Sequence, residues 1–254
     1  MSKHFTKPFN PIEWPAAPHD FTGDNNLGIY TAESTQRYMY GTRYITWDGR
    51  VYKYYNAGAA CYSYHGAGNN EVACAGWHTA PVVNSAGERE VTATLASRSI
   101  DDLAGAQLTI HDQSGTDQVI TMNIVGNEAT VSTTTKIYLE FPLPFTIAAD
   151  DDFEVYENPY RELRETTDSY MNWCGKPCVN TTTGQKGWLQ TWGPCIISGG
   201  EDCGSPPADR RTLMWGSNAS LWENATKPYA QIASYLFTGS SVAYGPQIYL
   251  MCST

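Results

Sequence analysis

Residues 184–195, GQKGWLQTWGPC, decide how the chain reads. Trp188 and Trp192 stand four apart, with Leu189 and Thr191 between them, and Gly187, Gly193 and Pro194 close the run at either end. A short aromatic and β-branched run bounded by Gly and Pro reads as a strand. A period of two puts Trp188, Gln190 and Trp192 on one face, Leu189 and Thr191 on the other. Two large rings on one face bury about 150–250 Å² each, enough to anchor a core or a subunit contact. Aromatic rings fill cores more often than they bind ligands, so the first expectation is a core strand.

The rest of the chain suits such a strand. Its 254 residues suffice for one large β domain or two smaller ones. Charged residues make up 17%, below the usual ~25%, and Gly, Ser, Thr, Asn, Tyr and Trp replace them. That mixture favours short strands and turns over long surface helices. The formal net charge of −10 disfavours nucleic acid and anionic membrane, since both need a basic patch. The first residues, MSKHFTKPFNPIEW, contain no apolar run of signal-peptide length. No stretch approaches the ~20 apolar residues of a helical membrane span. The expectation is a protein made and folded in a cytoplasm, with its seven cysteines as buried free thiols and not a disulfide framework.

Taken in order, the chain divides into four segments. Residues 1–25 form an extended arm: Pro8, Pro11, Pro15 and Pro18 block regular structure, while Phe5, Phe9 and Trp14 need a groove to lie in. That groove belongs either to the arm's own domain or to a neighbouring subunit, and these three rings join Trp188 and Trp192 as candidate anchors. Residues 26–87 hold a hairpin around Asp48-Gly49 and then a glycine-rich loop region, expected to pack with the C-terminal part. Residues 88–157 carry five β-rich runs: 91–95, 107–111, 118–124, 136–141 and 153–156. Their spacing of roughly ten residues reads as an inserted small β-barrel or sandwich. Residues 158–254 form a C-terminal β domain. The fold class is therefore mostly β, with small barrel or sandwich domains and an extended Pro-rich N-terminal arm.

Sites for chemistry are sparse. The sequence has no nucleophile elbow, zincin helix, Walker loop or dinucleotide fingerprint. Cys61, His65, Cys74 and His78 repeat a C-x3-H spacing, but without the close pairs that define zinc sites. Cys174-x3-Cys178 resembles half of such a site, with nothing to complete it. Asp150-Asp151-Asp152 reads as a solvated turn before a strand. No catalytic residue, metal or cofactor is expected. Carboxylates that meet only in the fold leave a glycoside-processing enzyme as an alternative. Abundant Trp and Tyr leave another, a tail or fibre adhesin for host surface glycans.

The order of several motifs resembles tailed-bacteriophage virion proteins of the capsid decoration, or cement, type. Gly41-Thr-Arg43 with Asp48-Gly-Arg-Val-Tyr-Lys-Tyr54 is similar to that group's opening hairpin. Leu103 to Ile110 is similar to its strand entry, Asn158-Pro-Tyr160 to the end of its middle domain, and Gln231-Ile-Ala233 to its closing strand region. Trp188 to Pro194, WLQTWGP, is the most specific piece. Residues 57–80 and 198–209 depart from the pattern. The resemblance implies a non-enzymatic protein on the capsid exterior, assembled in the host cytoplasm. It also implies the major capsid protein and further copies of itself as partners, as a homotrimer at three-fold positions.

Overall fold

The computed structural model describes residues 28–46, 48–69, 74–111, 119–149, 151–165, 172–198, 212–215, 219–223, 233–237 and 247–252. The arm, with Phe5, Phe9 and Trp14, lies outside the described residues. A 3-10 turn, Gly28–Tyr30, precedes β1 (Arg43–Ile45), β2 (Val51–Asn56) and β3 (Ala67–Asn69). Next come β4 (Cys74–Thr79), β5 (Glu90–Ala93), β6 (Gln107–His111), β7 (Val119–Asn127), β8 (Thr135–Leu139) and β9 (Asp152–Tyr156). The last group is β10 (Asn172–Pro177), β11 (Lys186–Ile196), β12 (Thr212–Trp215), β13 (Leu221–Glu223), β14 (Ala233–Phe237) and β15 (Gln247–Met251). Ladders between them are antiparallel, and the protein is nearly all β.

Contacts divide the described chain into two units, residues 74–158 and residues 28–69 with 159–252. The first holds a six-stranded sheet in the order β4-β9-β6-β7-β8-β5. Its edge strands are joined where Thr94 N donates to Thr79 O at 3.1 Å, so the sheet curls into a half-barrel. Alternation fills its interior: Val91 and Ala93, Ile137 and Leu139, Phe153 and Val155 point inward while their neighbours face out. Four of the five runs read from sequence overlap these strands within two residues at each end, and the fifth, 118–124, extends to Asn127 in β7.

Two local expectations are corrected, and Gly126 and Asn127 close β7. Fully buried Asn127 accepts from Leu103 N at 2.8 Å and donates to Ser99 O at 2.8 Å, which pins the 95–106 loop. The glycine-rich segment is not all loop, because β4 pairs with β9 and belongs to the barrel. Asp151 is buried rather than solvated, and its Oδ2 accepts from Ala148 N at 2.7 Å to close the turn into β9.

The second unit is a nine-stranded sheet with the order β1-β2-β11-β15-β14-β12-β13, and β10 bridges β11 to β3. Its hairpin at Asp48-Gly49 turns through a loop of more than two residues. Thr46 N donates to Arg50 O and Gly49 N to Thr46 O, each at 2.9 Å, with Gly49 at φ +82°. That is a type of loop in which glycine takes the left-handed position. The Asp48 carboxylate holds it, accepting from Thr46 Oγ1 at 2.5 Å and Arg50 Nε at 2.8 Å. β11 is long enough to hold β2 along its first part and β15 along its last. Three clusters line this sheet, built around Tyr44, Tyr52, Tyr54 and Trp188, around Tyr55, Leu163, Cys174 and Leu189, and around Leu213, Trp215, Ile248 and Leu250.

Candidate functional site

The two tryptophans of β11 part company. Trp188 stands opposite Tyr54 and Gln190 opposite Tyr52, then the ladder slips by one residue and Trp192 stands opposite Val51. Alternate residues of β2 face opposite ways, so this bulge puts Trp192 on the face away from Trp188. The common face read from sequence is thereby overturned: one extra residue reverses the alternation.

Trp188 is fully buried. Tyr38, Tyr44 and Tyr54 meet it edge-on, with centroids at 5.5, 6.0 and 5.3 Å. Burial pushes the hydroxyls of Tyr52 and Tyr54 well above their ordinary pKa, so neither works as an acid or base near neutrality. Trp188 is a core anchor.

Trp192 stays half-buried and meets Tyr249 of β15 edge-on at 5.6 Å. The register sets Trp192 opposite Met251, Pro194 opposite Tyr249 and Ile196 opposite Gln247. Period two places all six on one face of two adjoining interior strands. Ile196 is 54% exposed and Gln247 is exposed, while the other four are half-buried. The opposite face of the same strands is closed, with Ile248 and Leu250 in the core and Cys195 against them. None of the six exposed-face residues carries a carboxylate, imidazole, amine or thiol. What this face offers is contact area, with Gln247 and the Tyr249 hydroxyl as polar ends.

Sequence reasoning found Trp192 but passed over Pro194, Ile196, Tyr249 and Met251 as partners. The alternation Gln247-Tyr249-Met251 was the available signal, and only the register shows which of its faces adjoins Trp192.

The candidate ligand residues disperse. Cys61 and His65 belong to the nine-stranded unit, whereas Cys74 and His78 lie on β4 in the barrel. Cys61 Sγ donates to Leu163 O at 3.5 Å, and His65 Nδ1 sits 2.6 Å from Glu165 Oε1. Cys174 packs with Tyr55 and Leu189, Cys178 with the Trp188 cluster. Among the described residues no three His, Cys, Asp or Glu side chains gather as a metal site would require. Burial pushes the thiols of Cys61, Cys174, Cys178, Cys195 and Cys252 up to about 12.

No protein-family model, curated protein or solved structure matches the chain.

Proposed function

We propose that this is a non-enzymatic structural protein of a tailed-bacteriophage virion, held on the outer surface of the capsid as a decoration protein that stabilises the shell. The observation that carries the reading is the half-exposed apolar face of Trp192, Pro194, Ile196, Tyr249 and Met251. Apolar side chains on interior strands of a sheet, left partly in water, suit a protein partner. Some of the motifs behind the resemblance meet on β2 and β11 of the same unit. β2 carries the Asp48–Tyr54 motif into its ladder with β11, Gly41 N donates to Tyr54 O at 2.7 Å, and Asn56 N donates to Tyr160 O at 3.0 Å.

The partners in this reading are the major capsid protein and further copies of the chain, as a homotrimer at three-fold positions. A net charge of −10 would be repelled by packaged DNA, which favours the exterior. Repetition over a symmetric shell multiplies weak individual contacts.

Co-sedimentation with undecorated shells tests this. Wild-type protein is expected to saturate the shells in a fixed ratio to the major capsid protein. Ile196→Asp is expected to stay folded and lose retention. Removal of residues 1–23 is expected to weaken retention if the arm reaches a neighbour. Failure of wild-type protein to bind shells, or its presence in particles only at tail stoichiometry, would refute the reading.

A further inference from the structure

The loop between β2 and β3 presents two tyrosines to solvent. Tyr62 is 40% exposed and Tyr64 51% exposed, and their rings stack with centroids 5.7 Å apart and planes 30° apart. Single exposed apolar side chains are common on protein surfaces. Two stacked rings on a loop that is itself firmly held are less so. Cys61 and Thr181 exchange both backbone hydrogen bonds, at 3.0 and 2.9 Å. Ser63 N donates to Asn180 Oδ1 at 2.8 Å, Ser198 N to Tyr64 O at 2.6 Å, and Gly66 N to Ala219 O at 2.8 Å. The backbone beneath the rings is therefore fixed in place before any ligand arrives.

A polar group stands beside the rings. The His65 imidazole lies edge-on to Tyr64, with centroids 4.2 Å apart. Its Nδ1 faces Glu165 Oε1 at 2.6 Å, and because a carboxylate only accepts, Nδ1 carries the proton. That contact fixes the ring and leaves Nε2 turned to other use, and Nε2 has no hydrogen bond among the described residues. Asn180 is exposed, and with its Oδ1 taken by Ser63 its amide NH2 remains available as a donor.

We propose that Tyr62, Tyr64, His65 and Asn180 form a binding site for a neutral saccharide, with Glu165 as the residue that positions His65. A pyranose has an apolar face of C–H groups and a rim of hydroxyls. The flat phenol rings match the face, while imidazole Nε2 and the Asn180 amide match the rim. A neutral sugar fits better than an acidic one, since Glu165 contributes negative charge beside the rings. The site is built in the nine-stranded unit alone and does not depend on where in a virion the chain sits.

Native gel electrophoresis through neutral polysaccharides (a β-glucan, a galactomannan and a xylan) tests the site on the full chain. Wild-type protein is expected to be retarded by at least one. Tyr62→Ala with Tyr64→Ala is expected to weaken that retardation about tenfold or more while the melting temperature stays close to wild type. Glu165→Gln is expected to weaken it less, and Tyr64→Phe to retain it, because stacking needs the ring and not the hydroxyl. No retardation by any of the three, or retardation untouched in the folded double variant, overturns the proposal. So does tighter binding of the synthetic peptide of residues 1–23 at these tyrosines, which would make them a proline-rich-segment site instead.

Discussion

The interior of the barrel is built from Val, Leu, Ile and Ala, with Phe153 its fully buried ring among the described residues. The nine-stranded sheet instead buries Tyr52, Tyr54, Tyr55 and Trp188 almost completely. Aliphatic side chains ask nothing of their neighbours beyond shape, whereas each phenol or indole brings a polar atom into the core that must be paired or left wanting. Some are paired: the Tyr55 hydroxyl lies 2.8 Å from Thr181 Oγ1, and Arg37 N donates to the Tyr54 hydroxyl at 3.2 Å. Others are not, since among the described residues the Tyr52 hydroxyl and Trp188 Nε1 have no hydrogen bond. The barrel draws its strands from one continuous segment, and the sheet joins strands far apart in sequence. Large rings that each touch several strands suit the second task.

The sharpest way to break this comparison is at the centre of each core. Trp188→Ala is expected to cost ~3–5 kcal/mol, and Leu108→Ala in the barrel ~2–5 kcal/mol, read from urea unfolding. If the barrel variant proved clearly the more damaging, the aromatic cluster would not be the principal anchor of its unit. Trp192→Ala, on the half-exposed face, is expected to cost only ~1 kcal/mol.

Backbone geometry gives the next effect. Gly175 has φ +153° and sits where β10 bulges in its ladder with β3, and a Cβ there would run into the backbone oxygen of Gln190 in β11. Gly175→Ala is expected to cost ~3 kcal/mol, because the obstacle is backbone that cannot turn aside. Gly49 at φ +82° has open space around its Cβ position, so Gly49→Ala is expected to cost only ~1 kcal/mol of conformational strain. Equal melting temperatures for the two would mean that the β10 bulge relaxes freely.

The same contrast governs what was legible in the sequence. Barrel strands such as Thr135–Leu139 announce themselves because one inward aliphatic alternates with one outward polar residue. β4 was hidden, for Cys-Ala-Gly-Trp-His-Thr has small residues where a strand signal would stand, and only its ladder with β9 reveals it. Trp188 and Trp192 were visible as anchors, yet the bulge that separates them leaves no local mark. The apolar face around Trp192 depends on the pairing of β11 with β15, and such long-range register is not written in either strand alone.

Hydroxyl deletions sharpen the comparison with smaller effects of opposite sign. Tyr55→Phe removes the hydrogen bond to Thr181 Oγ1 and is expected to cost ~1 kcal/mol. Tyr52→Phe removes a buried hydroxyl with no partner among the described residues and is expected to stabilise by ~0.5–1 kcal/mol. Matching denaturation midpoints for the two variants would mean that pairing of phenols does not distinguish these rings.

The smallest effect concerns the thiols that accompany the aromatic core. Cys61, Cys174, Cys178, Cys195 and Cys252 are all free, and burial raises each to about 12. An unfolded cysteine ionises near pH ~8.5, so the folded state binds the thiol proton more tightly than the unfolded state does. The stability linked to these protons is fully present below about pH 8.5 and is lost as pH rises toward 12. Between pH 6 and 8 neither reductant nor chelator is expected to move the melting temperature. Iodoacetamide at pH 8 is expected to label buried Cys61, Cys174 and Cys252 only as fast as the sheet opens, because a neutral, buried thiol is a poor nucleophile, and half-buried Cys178 and Cys195 sooner. Rapid labelling of native protein at Cys61, Cys174 or Cys252 would show a thiol exposed or ionised. A drop in melting temperature on adding chelator would show that a metal holds the fold.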